Sequence, residues 1–80
     1  MSLIELTQMI INSLVRDPDS VSIKQLESEE EIVIEVVVPE CEMGSIIGRE
    51  GKIANSIRTI VQASSYLKDN KRVKINISSI

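Results

Sequence analysis

The sequence predicts an α+β domain whose elements follow the order α-β-β-α-α-β. Apolar residues recur at helical spacing in residues 2–16 and 51–66, whereas they alternate at strand spacing in residues 31–38 and 72–77. Prolines, glycines and short charged runs separate these segments, as turns between elements require. A chain of 80 residues suits one domain, so we expect a single domain over residues 1–80.

The first helix is predicted to begin at a capping box, because Ser2 is followed by Glu5 at the spacing that this motif requires. Apolar side chains then recur at helical spacing, at Leu3, Leu6, Ile10 and Leu14. Asp17-Pro18 ends the helix, since the residue before a proline avoids helical backbone angles.

A strand and a polar turn follow. Val21, Ile23 and Leu26 indicate the strand, and their spacing predicts that its alternation slips once near Lys24-Gln25. Residues 28–30, Ser-Glu-Glu, have the polarity of a turn.

The second strand is apolar on both faces, which is typical of a strand in the centre of a sheet. One face is continuous and consists of Ile32, Ile34, Val36 and Val38. The other face carries Val33 and Val37, and Pro39 closes the strand.

The second half of the chain predicts two helices and a last strand. A short helix over residues 40–47 ends at Gly48, where glycine tolerates left-handed backbone geometry. A longer helix starts at about Gly51 and leads through the charged loop of residues 68–71 to a strand. The apolar face of the longer helix is expected to consist of Ile53, Ile57, Ile60, Val61 and Ser64. Its polar stripe consists of Lys52, Asn55, Thr59, Gln62 and Tyr66, and the strand carries Val73, Ile75 and Ile77.

Composition excludes several classes of site. The chain has no histidine and one cysteine, Cys41, which excludes an internal disulfide, Cys/His metal sites and histidine-based triads. No spacing suggests paired catalytic carboxylates, so we expect neither an enzyme nor a cofactor. No apolar run approaches the ~20 residues that span a bilayer, and no secretory signal is present. We therefore expect a soluble cytoplasmic domain without a membrane partner.

Charge is distributed unevenly along the chain. Residues 1–42 contain ten acidic and two basic residues, whereas residues 43–80 contain seven basic and two acidic ones. The net charge of −3 argues weakly against nucleic acid as a partner. A small domain can nevertheless present a basic face to an anion, and a solvated mixed-charge surface explains the same counts.

One motif carries chemistry, the segment Gly48-Arg49-Glu50-Gly51 between the two predicted helices. Glycines let a backbone approach a sugar-phosphate chain closely, and the free N–H groups at the start of the next helix favour anions. The Walker pattern fails because Lys52 is followed by isoleucine, and the dinucleotide fingerprint fails because Ile46 stands where it requires glycine.

The chain resembles the KhpA family of stand-alone bacterial KH proteins over nearly its whole length. The resemblance is carried by six segments: Asp17-Pro18, Glu42-Met43-Gly44, Ile46-Ile47-Gly48, Gly51-Lys52-Ile53-Ala54, Ile57-Arg58-Thr59-Ile60-Val61 and Lys71-Arg72-Val73. It implies a type II KH fold, with a three-stranded mixed sheet and helices packed on one face. It also implies binding of single-stranded RNA, as an RNA chaperone or post-transcriptional regulator, and a homodimer or a heterodimer with a larger KH-containing protein.

The resemblance further implies which residues meet RNA. Together they form the loop, an apolar floor beside it and a basic far wall. They are Ile47, Gly48, Arg49, Glu50, Gly51, Lys52, Ile53, Lys71, Arg72 and Lys74. Arg58 lies about 120° around the helix from Lys52, so we expect it to face a partner or solvent.

Two features predict weak binding by this domain alone. Glu50 stands where KH loops usually carry a basic or neutral residue, and its carboxylate offsets part of the attraction of Arg49 for phosphate. Tyr66 is the only aromatic residue, which leaves little capacity for base stacking. The alternative to an RNA-binding regulator is a protein-interaction module in which the KH scaffold mainly builds a dimer.

Overall fold

The computed structural model describes residues 2–80. Its helices are α1 (Leu3–Leu14), α2 (Glu40–Ile47) and α3 (Lys52–Lys68), and its strands are β1 (Ser22–Glu27), β2 (Glu31–Val38) and β3 (Arg72–Ser79). Single turns of 3-10 helix, Pro18–Ser20 and Arg49–Gly51, precede β1 and α3. The predicted order α-β-β-α-α-β is confirmed.

The capping box at the start of α1 is confirmed. The Ser2 Oγ accepts the N–H of Glu5 at 3.2 Å, and the Glu5 carboxylate accepts the N–H of Ser2 at 3.4 Å. These bonds satisfy N–H groups that a helix leaves without an internal partner.

The three strands form a mixed sheet in the order β1-β2-β3, so the prediction that β2 is central is confirmed. β1 and β2 are antiparallel, whereas β2 and β3 are parallel. Along β2, Ile32, Ile34, Val36 and Val38 are fully buried beneath the helices. Val33 and Val37 are half-buried on the opposite face, which the helices leave uncovered.

The predicted slip in β1 is wrong. β1 pairs with β2 residue for residue, from Ser22 opposite Val37 to Glu27 opposite Ile32. Regular pairing places Gln25 half-buried on the helix side and leaves Leu26 57% exposed on the uncovered face. The apolar Leu26 suggested a slip, but only one face of the sheet is covered, and an outward leucine at its edge is tolerated.

The buried face of α3 differs from the predicted one. It consists of Ala54, Ile57, Val61 and Ser65, whereas Ile60 is 50% exposed. Ile60 lies about 100° around the helix from the centre of this stripe, which turns it to solvent. Ala54 and Ser65, at the two ends of this stripe, are small and let α3 lie close to its neighbours. They are therefore buried although they are less apolar than Ile60.

The topology separates the two ends of the molecule. α3 and β3 are joined by a short loop and pack together, so α3 runs antiparallel to β3. The β1–β2 hairpin lies beside the start of β3, because Glu31 is paired with Arg72. The turn before α3 therefore lies at the opposite end of a molecule 34 Å long. Within residues 2–80, every helix is too short or too polar to cross a bilayer.

Candidate nucleic-acid interface

The segment Gly48–Gly51, here called the glycine loop, connects α2 to α3 through three residues of positive φ. Gly48 has φ 74° and ψ 177°, Glu50 has φ 57° and ψ 25°, and Gly51 has φ 75° and ψ 12°. Positive φ at Gly48 was predicted, but its ψ is extended rather than left-handed helical, a combination that is essentially restricted to glycine. The left-handed residues follow it at Glu50 and Gly51.

Gly48 is also required by close packing. A Cβ atom at this position would lie 2.5 Å from Cγ1 of Ile53 and 2.9 Å from its Cβ. The backbone of Gly48 therefore lies directly against the Ile53 side chain. At Gly51 the nearest atom to a Cβ would be Nδ2 of Asn55 at 3.9 Å, so Gly51 is needed for its φ of 75° and not for space.

The start of α3 faces solvent with basic residues on both sides. Among the described residues no side chain caps α3, and the N–H of Lys52 at its start donates to the Arg49 carbonyl within the preceding 3-10 turn. Arg49 and Lys52 are exposed beside them, and exposed Glu50 lies between the two. The positive end of the α3 dipole and two cations favour an anion here, and the Glu50 carboxylate weakens that preference.

The two isoleucines of the expected apolar floor border the loop. Ile47 and Ile53 are half-buried, and Ile53 packs against the core. Each thus combines a packed side with an accessible apolar side, as the prediction requires.

Lys71 does not lie near the glycine loop. It follows α3, whose 17 residues are about 25 Å long, so Lys71 is at the far end of this helix. Its Nζ lies 2.6 Å from the Glu27 carboxylate and donates to the Ser28 carbonyl at 3.0 Å. The hydrogen bond and charge of Lys71 hold the pKa of Glu27 below its ordinary value of 4.5.

Arg72 and Lys74 lie on the uncovered face of the sheet. Both are exposed, and they alternate along β3 with the half-buried Val73 and the buried Ile75, which face the helices. Lys74 is paired with Val33 of β2 on that uncovered face. The structure thus gathers residues 47–53 into one site and places the three predicted basic residues of the far wall elsewhere.

A groove runs between α3 and β3, the helix and the last strand between which the family resemblance implies an RNA groove. It has a volume of about 440 Å³ and is lined by Arg58, Thr59, Gln62, Ala63, Tyr66 and Val73. Arg58, expected to face a partner or solvent, borders this groove and donates from Nη1 to Oδ1 of Asn55 at 3.2 Å. The polar stripe of α3 indicated an outward face, but only the packing of α3 against β3 makes part of that face a groove.

Gln62 joins the two sides of the groove. Its Nε2 donates to the carbonyl of Lys71 at 3.0 Å, and its Oε1 accepts the N–H of Val73 at 2.9 Å. Ser65 Oγ donates to the same carbonyl at 2.7 Å. Gln62 therefore occupies the free edge of β3 at Val73.

Solved structures of the protein Era share this fold. The chain superposes on Era in complex with MgGDPNP and nucleotides 1506–1542 of 16S ribosomal RNA with a TM-score of 0.68 and 22% identity, over 96% of this chain and 29% of that one. It also matches an Aquifex aeolicus Era variant bound to GDP and AlF4⁻ with a TM-score of 0.71 and 21% identity, over 98% of this chain and 30% of that one. At these identities the likeness concerns the fold of one part of Era.

Sequence comparison gives nearer relatives. The chain is 41% identical over 73 residues to the RNA-binding protein KhpA of Clostridium perfringens, covering 91% of this chain and 96% of that protein. It is 40% identical over 74 residues to the RNA-binding protein KhpA of Borreliella burgdorferi, covering 92% of this chain and 89% of that protein. The sequence profile for the KH domain of KhpA and KhpB matches residues 4–77. With the fold and the glycine loop in agreement, the chain belongs to the KhpA/KhpB family of KH domains.

Proposed function

We propose that this protein is an RNA-binding protein that holds single-stranded RNA at the glycine loop. The observation that carries the proposal is the close contact of Gly48 with Ile53, which puts bare backbone beside an apolar side chain at the uncapped start of α3. Backbone N–H groups suit phosphate, and an apolar surface suits bases. The names of the KhpA relatives support this choice.

Each residue of the loop has a distinct role in this proposal. Arg49 and Lys52 neutralise phosphates, and the glycines admit the sugar-phosphate chain. Ile47 and Ile53 provide the apolar floor for bases. Glu50 repels phosphate and keeps binding weak, so that RNA is exchanged readily. This suits an RNA chaperone or post-transcriptional regulator in the cytoplasm that needs no cofactor.

The far wall has a smaller part than its basic residues suggest. Lys71 already neutralises Glu27 at 2.6 Å. Arg72 and Lys74 contact RNA only where a strand continues around the edge of β3 to the uncovered face of the sheet.

The test is the affinity of short single-stranded RNA as a function of salt. With two phosphate contacts, the logarithm of the binding constant falls with the logarithm of salt concentration with a slope of about −1.4. Arg49→Asp removes one contact, so it reduces that slope by about 0.7 and the affinity at least roughly tenfold. Lys24→Asp makes the same charge change on β1, where no RNA contact is proposed, and is the control. A folded Arg49→Asp variant with unchanged affinity and slope would exclude the loop as the binding site.

Self-association is a secondary part of the proposal. The uncovered face of the sheet carries half-buried Val33 and Val37 together with Leu26, which is 57% exposed, so an apolar strip faces outward. A dimer would join two weak sites on one RNA and raise the overall affinity. Sedimentation analysis tests this, and a strict monomer at tens of micromolar would contradict it.

A further inference from the structure

A second groove, here called the hairpin groove, lies at the β1–β2 hairpin on the face of the sheet that the helices leave uncovered. It has a volume of about 340 Å³ and is lined by Leu26, Glu27, Ser28, Glu30, Glu31 and Val33. Leu26 and Val33 stand opposite each other in the β1–β2 register and form an apolar floor. Leu26 is 57% exposed, so its side chain is free to contact another molecule.

The rim of the hairpin groove is acidic, and the chain leaves most of that charge unpaired. Three of the six lining residues are glutamates and none is a cation. Lys71 neutralises Glu27 from outside the groove, at 2.6 Å. Within residues 2–80, the carboxylates of Glu30 and Glu31 form no salt bridge, although Arg72 is paired with Glu31 across the sheet. Two carboxylates beside an apolar floor therefore remain for an outside partner.

An apolar floor with carboxylates at its rim is complementary to a lysine or arginine side chain. The methylene stem of such a side chain packs on apolar surface while its charged end reaches polar groups. A stem that lies on Leu26 and Val33 brings its cation to Glu30 and Glu31. Arginine is also enriched in the contacts between proteins. The groove therefore suits a basic segment of a protein.

The same chemistry argues against the other occupants of such a groove. RNA and anionic lipid carry phosphates, which the carboxylates of Glu30 and Glu31 repel. A second copy of this chain would use a wider surface, because the apolar strip proposed for self-association continues beyond the groove to Val37. Charge at the rim thus favours a basic partner over both.

We propose that the hairpin groove is a docking site for a lysine- and arginine-rich segment of another protein. The proposal goes beyond RNA binding at the glycine loop and does not depend on it, because the hairpin and the loop lie at opposite ends of a molecule 34 Å long. Basic segments are common in proteins that bind nucleic acid. One molecule can therefore hold RNA at one end and a protein bound to the same RNA at the other.

The experiment adds an amidated hexaarginine peptide to the ¹⁵N-labelled protein at low salt. The largest amide chemical-shift changes are expected at residues 26–33, whereas residues 48–53 should not move. The affinity should fall as salt is added, because salt screens exposed charges. A hexaglutamate peptide is the control and should leave residues 26–33 in place.

Variants separate the contribution of the rim from that of the floor. Glu30→Gln combined with Glu31→Gln removes two exposed ion pairs and lowers the affinity for hexaarginine about 2- to 30-fold. Leu26→Ser keeps the charge, removes half of the floor and lowers the affinity roughly 3- to 10-fold. Asp19→Asn combined with Glu40→Gln makes the same charge change at exposed residues outside the groove and leaves the affinity nearly unchanged.

Each contrary outcome overturns the proposal in a different way. Equal losses of affinity in the two double variants would show that the peptide responds only to the net charge of the protein. Full binding in Leu26→Ser would show that the apolar floor is not used. If Leu26→Ser also abolishes self-association in sedimentation, the occupant of the groove is a second copy. Arg49→Asp tests RNA binding separately, so the failure of either proposal leaves the other standing.

Discussion

Gly48 and Ile53 form a contact in which no other residue can replace the glycine. A side chain at position 48 meets Ile53 at 2.5 Å and also requires a φ of 74° with extended ψ. Gly48→Ala is therefore expected to lower the free energy of unfolding by at least about 1–3 kcal/mol. Urea denaturation followed by circular dichroism measures this change.

Gly44 provides the matched control for Gly48. It lies inside α2, and a Cβ there has no atom within 4 Å. Gly44→Ala is expected to raise the free energy of unfolding by roughly 0.5–1 kcal/mol, because alanine favours a helix interior. Equal changes for Gly44→Ala and Gly48→Ala would contradict the packing of Gly48 on Ile53.

Glu42 is a buried carboxylate, only 5% exposed, that orders the chain after α1. Its Oε2 accepts the N–H of Arg16 at 2.8 Å and that of Asp17 at 3.0 Å. Glu42→Gln removes the charge that strengthens these bonds, so it should lower the free energy of unfolding by about 1–3 kcal/mol. Glu30→Gln, at an exposed hairpin residue, should stay within about 0.5 kcal/mol of the parent. A thermal or urea transition that moves equally in both would rule out this role of Glu42.

At the scale of elements, the ion pair between Glu27 and Lys71 joins the end of β1 to the loop between α3 and β3. Lys71 lowers the pKa of Glu27 in the folded protein, so folding favours the ionised carboxylate. The resulting stabilisation is complete above the unfolded pKa of Glu27 and is lost as pH falls through the lower folded pKa. The stabilisation by this ion pair is therefore lost at pH values below the ordinary Glu pKa of 4.5.

Lys71→Met tests this pair directly. It removes the hydrogen bond and the charge, so the pKa of Glu27 should rise towards 4.5. An NMR titration of the side-chain carboxyl resonances measures it. Glu5 is the internal control, because its pKa is lowered mainly by Ser2 and should not change. An unmoved Glu27 would show that Lys71 does not pair with it in solution.

Periodicity predicted the elements that bury one complete face. Apolar residues on both faces of β2 identified the central strand, and the capping box identified the start of α1. Periodicity did not predict which residues are buried where burial depends on the elements that cover them. Ile60 and Leu26 are apolar yet exposed, while Ser65 is fully buried with its hydroxyl bonded to the Lys71 carbonyl.

The prediction of the candidate site had the same limit, because sequence patterns report only local contacts. Residues 47–53 are contiguous, so the sequence alone brought them together. Lys71 pairs with Glu27, which is 44 residues away in the sequence, and no local pattern reports such a contact. The groove beside Tyr66 likewise exists only because α3 packs antiparallel to β3.

At the scale of the whole molecule, the acidic hairpin and the glycine loop lie far apart. The acidic β1–β2 hairpin lies at one end of the 34 Å long axis, and the glycine loop lies at the other. The net charge of −3 therefore understates the attraction of the loop for an anion. RNA approaching this protein meets repulsion at the hairpin and attraction at Arg49 and Lys52.

The most direct test of this account is the map of amide chemical-shift changes when single-stranded RNA is added to the ¹⁵N-labelled protein. The account predicts the largest changes at the N–H groups of residues 48–53. Residues of β1, at which no RNA contact is proposed, should change least. Largest changes in β1 and the uncovered face of the sheet, with residues 48–53 unmoved, would contradict binding at the glycine loop.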